Sequence, residues 1–210
     1  MSLLSWYISR FSLAFLDVGN VGDGSLKRSF VHRSSIHHGY NVGVGVFGTD
    51  FLEIINTIVH HTVGPAIQIN GMSHSLIGNL IAYSIAEATY EVRHFAHILF
   101  ADINIKNHSS NILSNLNFCL FFLQTEAYGF DIKWPGAISA IKAKNLTLIG
   151  NSIAGSEKDG LHWQGQKCSE SGFAQRMVRD NEIHSTLFGI HVPAKGSYDE
   201  CVYLSGFKVS

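Results

Sequence analysis

The 210-residue chain has few charged side chains and few prolines. Charged residues make up 15% of it. The 15 basic and 16 acidic residues leave a formal net charge of −1. Such a balance gives no electrostatic footprint for nucleic acid or for anionic lipid, so we expect neither as a partner. Only 3 prolines stand against 20 glycines, a composition that suits tight turns between short strands.

Long hydrophobic runs are also missing. The apolar stretch at residues 112–123 comes nearest, but its 12 residues fall short of the roughly 20 that span a bilayer. Residues 1–16 are apolar, yet Arg10 falls where a signal peptide would have an unbroken apolar stretch. We therefore expect neither a convincing signal peptide nor direct membrane insertion by this chain.

What the chain does have is a repeated motif, a short polar residue two positions before an isoleucine. It occurs at residues 34–36, 56–58, 79–81, 151–153 and 181–183. Four copies of this motif are followed by a second motif with alternating apolar positions, at residues 43–48, 66–71, 160–165 and 189–194. The first three isoleucines are 22 and 23 residues apart, which favours an all-β parallel β-helix with coils of roughly 22 residues.

The repeat also predicts which side chains stack from coil to coil. Ile36, Ile58 and Ile81 are expected to point inward as one aliphatic ladder. Asparagines at a shared turn position are expected to bond along the stack, and these are Asn56, Asn79, Asn151 and Asn181.

The repeat divides the chain into four parts. Residues 1–20 form an atypical N-terminal segment, and residues 21–90 and 136–210 are predicted to be β-helix coils. Between them, residues 91–135 lose the pattern and are rich in large apolar groups without turn glycines. This stretch is either an irregular insertion, helical or disordered, or sequence foreign to the domain.

Several strings carry a family resemblance. Residues 34–49, which begin Ser-Ser-Ile-His-His, and residues 58–64 resemble the fibrocystin family of very large, receptor-like cell-surface proteins. Residues 147–193, with the string Gly-Leu-His-Trp-Gln-Gly, look like later coils of the same region, so the resemblance covers about two thirds of the chain. It implies a right-handed parallel β-helix, extracellular, in a single-pass membrane protein whose membrane span lies outside this chain.

The resemblance implies a non-catalytic interaction or structural segment of a fibrocystin-L-like receptor, with an unknown protein or glycan as ligand and no cofactor. More distantly, the chain is similar to the hyaluronan-degrading cell-migration-inducing proteins, which have a comparable Ser-Ile-His-His string. Through them a polysaccharide-acting, hyaluronan-depolymerase-like module is the alternative. A partial gene product without independent function is a third hypothesis. Whether the chain is an enzyme stays open, with the non-catalytic interpretation favoured.

Two groups of histidines are the candidate sites. His37, His38, His60 and His61 follow the repeated isoleucine, and adjacent coils about 4.8 Å apart would align them near enough to share a divalent cation. The alternative is that they are turn residues that cap carbonyls or stack in solvent.

The second group lies on outward positions of two equivalent strands. His162 and His191 share one face, and Asp159 and Glu157 are the local carboxylates that could act with them in a glycan-cleaving groove. Solvent-facing histidines and an ordinary Asp-Gly turn are the alternative. Trp163 alternates with His162 and is expected to pack in the core.

Two kinds of covalent feature are predicted, a disulfide and N-linked glycosylation. Three cysteines permit at most one internal disulfide, and Cys168 with Cys201 is favoured because both lie at coil edges; buried free thiols are the alternative. Asn107 and Asn145 begin glycosylation sequons, which permit a secreted glycoprotein.

Overall fold

The computed structural model describes residues 11–39, 41–85, 136–167, 178–192 and 200–210. In these ranges the regular structure consists of short β-strands joined by turns. The strands are β1 (Leu13–Asn20), β2 (Phe30–His32), β3 (Ser35–Gly39), β4 (Val44–Asp50), β5 (Glu53–Ile55), β6 (Ile58–Val63), β7 (Ile67–Met72), β8 (Ser75–Ile77), β9 (Leu80–Ile85), β10 (Ile138–Lys144), β11 (Thr147–Ile149), β12 (Ser152–Ser156), β13 (Asp159–Trp163), β14 (Gln166–Lys167), β15 (Val178–Arg179), β16 (Glu182–His184), β17 (Phe188–His191), β18 (Glu200–Cys201) and β19 (Lys208–Val209).

The strands form three parallel sheets. Sheet A has the order β1-β4-β7-β10-β13-β17, sheet B the order β15-β11-β8-β5-β2, and sheet C the order β19-β16-β12-β9-β6-β3. Each turn of the chain adds one strand to each sheet, as β4, β5 and β6 do before β7, β8 and β9. The predicted all-β class is confirmed, and the arrangement is consistent with a parallel β-helix. A small antiparallel pair, β14 with β18, lies outside the three sheets.

The coils on either side of residues 86–135 stack directly on each other. Strand β10 pairs in parallel with β7, with Ile138 opposite Ile67 and Lys144 opposite Met72. The predicted insertion at 91–135 lies outside the described residues. At the other end β1 pairs with β4, so residues 13–20 of the segment set apart by sequence already form a strand of the first coil.

Inward side chains form aliphatic ladders through the stack. In sheet B one column runs through five successive coils and consists of Val31, Ile54, Leu76, Leu148 and Val178, all buried. Burial of each such side chain contributes about 1.5 to 3 kcal/mol, shared with the coils above and below. Trp163 is also buried, as its alternation with His162 predicted.

The ladder of sheet C corrects one prediction. Val59, and not Ile58, stands opposite Ile36 and Ile81, while Ile58 is 44% exposed. Thr57 and Val59 have the same spacing as Asn56 and Ile58, a polar residue two positions before a β-branched one, but they lie one residue later in the chain. Since side chains alternate along a strand, this slip of one residue turns Ile58 outward.

The same one-residue shift applies to the predicted asparagine ladder. Asn79, Asn151 and Asn181 are buried at one coil position, and each amide group bonds the next, with Nδ2 to Oδ1 distances of 2.9 Å. Thr57 occupies that position in the coil before, donating its N–H to Asn79 Oδ1 at 2.9 Å. Asn56 lies one residue earlier, exposed and in a left-handed turn with φ 50°. The predicted stacking is therefore confirmed for three asparagines and wrong for Asn56.

Candidate functional site

Asp159 is a fully buried carboxylate at the first residue of β13. The coil before it leaves room through Gly136, whose φ is +116° and where an added Cβ would lie 2.8 Å from the Asp159 Cβ. Gly136 therefore has both a conformation and a spacing that other residues would strain to adopt. The adjacent backbone is fixed because Ala137 donates its N–H to the Asp159 carbonyl at 2.8 Å.

Two histidines meet over this carboxylate. His162 in β13 stands directly opposite His191 in β17, and their ring centroids are 4.4 Å apart. The His162 side chain is 12% exposed and the His191 side chain 45% exposed. The three candidates predicted from outward strand positions and a nearby aspartate are thus brought together at the surface of sheet A.

Both imidazoles approach one oxygen of the aspartate. His191 Nδ1 forms a hydrogen bond with Asp159 Oδ2 at 2.8 Å. His162 Nδ1 lies 3.0 Å from the same oxygen, but its ring is not aligned for a directed hydrogen bond. Asp159 Oδ1 is buried without a hydrogen-bond partner among the described residues. Within the described ranges, the second oxygen of this carboxylate is therefore left unsatisfied.

The burial of the Asp159 carboxylate favours a positively charged partner. A buried carboxylate is costly unless it is paired and hydrogen-bonded, because the interior cannot solvate it as water does. A cation bound by the three side chains would supply that pairing. In the described part of the chain, these three residues are the one group of at least three His, Cys, Asp or Glu donor atoms within 4.8 Å of one another.

The geometry permits two kinds of chemistry. A carboxylate on Nδ1 of His191 fixes the tautomer and leaves Nε2 to accept or donate a proton, as in the Asp-His pairs of hydrolases. The same three donors could instead hold a metal ion. Ordinary glycoside hydrolysis uses two carboxyl groups, and Glu157, the second predicted carboxylate, is not a member of the three-donor group.

The other predicted histidine group forms a stack of rings on sheet C. His37 stands opposite His60, and the rings of His38 and His61 have centroids 5.0 Å apart. Burial, with His38 and His60 nearby, holds the pKa of His61 below its ordinary value. Within the described ranges these four residues do not bring three donor atoms within 4.8 Å of one another. A shared cation at these histidines stays a prediction.

The remaining predicted positions are covered only in part. Asn145 is exposed, with φ 51°, in the turn between β10 and β11. Asn107, Cys168 and the Cys201 side chain lie outside the described residues. The disulfide and both glycosylation sites stay predictions.

His74 is a buried polar residue that sequence reasoning did not single out. It takes the place held by Leu52 and Leu146 in neighbouring coils. Its Nδ1 accepts the Leu52 N–H at 3.2 Å, and its Nε2 lies 3.2 Å from the Asn70 carbonyl, to which it donates in the neutral tautomer. Burial holds the pKa of His74 below its ordinary value. The signal that could have found it is a polar residue in an otherwise apolar column.

Comparison with known proteins identifies the relatives of this chain. Over 201 residues it is 30% identical to human fibrocystin-L, a match that covers 95% of this chain and 4% of that protein. The chain is homologous to a segment of the fibrocystins. Mouse fibrocystin-L is 28% identical over 200 residues, and dog fibrocystin 27% identical over 179 residues, which covers 85% of this chain and 3% of that protein. The resemblance seen in the sequence strings is confirmed.

The match is longer than those strings suggested, since 95% coverage takes in most of residues 91–125. The chain nevertheless spans only about 4% of the length of the fibrocystin-L relatives. No protein-family model matches the chain. No solved structure matches it either.

In the part of the chain that the structure describes, no helix is long and apolar enough to cross a bilayer.

Proposed function

We propose that the chain is an extracellular, non-catalytic structural and interaction segment of a fibrocystin-L-like cell-surface receptor. It forms a right-handed parallel β-helix with coils of roughly 22 residues, anchored in the membrane by a span elsewhere in the receptor. Homology to the fibrocystins over 95% of the chain supports the family setting. The observation that carries the proposal is the stacking of successive coils in three parallel sheets, including β10 on β7.

The stacked coils suit a structural role because each coil is stabilised only by its neighbours. Aliphatic columns and the buried asparagine ladder hold the coils in one register, leaving a long side of each sheet facing outward. Such a surface presents repeated side chains to a protein or glycan ligand. Asn145 is exposed in a turn, where an extracellular protein can carry an N-linked glycan.

A polysaccharide-acting module is the second candidate, favoured by one observation. Asp159, His162 and His191 converge, and the buried carboxylate could orient His191 as a general base or acid. The ordinary glycosidase mechanism uses two carboxyl groups, and this group of three residues contains only one. The non-catalytic proposal therefore remains the better supported one.

The two functions separate in one experiment. The purified chain is incubated with high-molecular-weight hyaluronan, and polymer length is followed by gel electrophoresis. The non-catalytic proposal predicts unchanged length with the wild-type chain. Shortening that is lost in H162A and H191A, but kept in the surface control H60A, would instead support the alternative. Recovery of only insoluble or protease-labile chain would favour the third hypothesis, a partial gene product.

A further inference from the structure

We propose that Asp159, His162 and His191 form a binding site for a divalent transition metal, with Zn²⁺ the best fit. Their three donor atoms lie within 4.8 Å of one another. The two ring nitrogens are 3.0 and 2.8 Å from the shared carboxylate oxygen. Ligands at about 2.0 to 2.2 Å from a tetrahedral Zn²⁺ are separated by little more than this, so a few tenths of an ångström of outward movement would admit the ion.

The donor set selects the class of metal. Two imidazole nitrogens and one carboxylate oxygen are ligands that suit Zn²⁺ and related first-row ions. Ca²⁺ and Mg²⁺ prefer six or more oxygens, which this group does not supply. A three-ligand zinc site keeps a position for water or a further ligand, and His191, 45% exposed, lies where that position can meet solvent.

The buried carboxylate supplies an independent reason. Asp159 is fully buried, and its Oδ1 has no hydrogen-bond partner among the described residues. A cation bound by Oδ2 and the two imidazoles would neutralise this carboxylate and could draw Oδ1 into bidentate contact. The site is built by three successive coils, since Gly136, just before β10, makes the space, β13 provides Asp159 and His162, and β17 provides His191.

The histidine stack on sheet C gives a control within the same molecule. His37 and His60 are also outward histidines opposite each other on neighbouring coils. Among the described residues they belong to no group of three His, Cys, Asp or Glu donor atoms within 4.8 Å of one another. If paired exposed histidines were enough to bind Zn²⁺, the histidine stack would bind it as well as the site on sheet A. If Asp159 is required, only the site on sheet A would bind it.

The test uses the full 210-residue chain after treatment with a chelator. Zn²⁺ alone is titrated by calorimetry, and Co²⁺ is titrated by visible absorption, because the intensity of its d–d bands reports a tetrahedral site. We expect one zinc per chain and a Co²⁺ spectrum of tetrahedral intensity. H191A should weaken Zn²⁺ binding at least tenfold, while H60A should leave it unchanged.

A second variant keeps the test decisive if H191A proves unstable. D159N retains the size of the side chain and replaces the anionic ligand, so Zn²⁺ binding should again fall at least tenfold while circular dichroism stays that of the wild type. Absence of Zn²⁺ binding by the wild type would overturn the proposal. Full binding by folded H191A or D159N, or loss of binding in H60A, would do so too. None of these results bears on the receptor-segment function, which is tested with hyaluronan.

Discussion

Replacing Asn151 by alanine should destabilise the chain strongly, since this side chain bonds both neighbouring coils. Its Oδ1 accepts the backbone N–H and Nδ2 of Asn79 at 3.0 and 2.9 Å. Its Nδ2 donates to the Leu76 carbonyl and to Asn181 Oδ1, both at 2.9 Å. The substitution removes all four bonds and leaves the polar atoms on either side short of partners within the core.

The magnitude follows from what is left behind. Each hydrogen bond contributes about 1 kcal/mol net, and a buried polar group left unsatisfied costs about 1 to 3 kcal/mol. Asn79 Nδ2 keeps a bond to the Ile54 carbonyl, and Asn181 Oδ1 keeps one from the Asn151 N–H. We therefore expect a loss of about 3 to 5 kcal/mol in the free energy of unfolding, which is large for the substitution of a single polar residue.

Urea denaturation followed by far-ultraviolet circular dichroism provides the assay. Asn56 supplies the matched control, because it is exposed, outside the ladder, and in a left-handed conformation that glycine adopts freely. N56G should change the unfolding free energy by less than about 1 kcal/mol. An N151A protein as stable as the wild type, or an N56G protein as unstable as N151A, would refute the ladder and its corrected register.

Three further predictions concern packing and pH. V59A should cost about 1.5 to 3 kcal/mol and I58A under about 1, measured by urea unfolding, because Val59 is the buried member of the pair; equal losses would contradict the register. G136A should lower the melting temperature, since its Cβ would meet Asp159 at a φ of +116°, and an unchanged value would contradict that contact. The pKa of His74 is held below its ordinary value, so the native state takes up this proton less readily than the unfolded chain. Its contribution to stability is present above the ordinary pKa and is lost as pH falls through the lowered one; H74Q should remove that part of the pH dependence in unfolding titrations.

Much of the fold could be predicted from the sequence because stacked coils repeat their constraints. Ile81, Ile153 and Ile183 recur at one inward position, and Asn79, Asn151 and Asn181 at one turn. The slip at Ile58 arose because polar and β-branched residues occur at two overlapping positions there. Sequence spacing alone does not say which of two adjacent residues faces the core; the neighbouring coils decide it.

The candidate site was predictable in its members and not in its geometry. Equivalent strand positions brought His162 and His191 to one face, as their spacing indicated. The burial of Asp159 depends on the absence of a side chain at Gly136 in another coil, which an Asp-Gly dipeptide does not reveal. His74 was missed for a similar reason, since its partners Leu52 and Asn70 are backbone groups with no signature in sequence.

Disulfide trapping across residues 86–135 tests the stacked-coil account most directly. Met72 and Lys144 are exposed and stand opposite each other in β7 and β10. In a chain with its three native cysteines replaced by serine, M72C/K144C should form an internal disulfide under mild oxidation, because neighbouring strands lie about 4.8 Å apart. F51C/K144C joins positions two coils apart and should stay reduced. Failure of the first pair to close, or equal closure of both, would contradict the direct stacking of these coils.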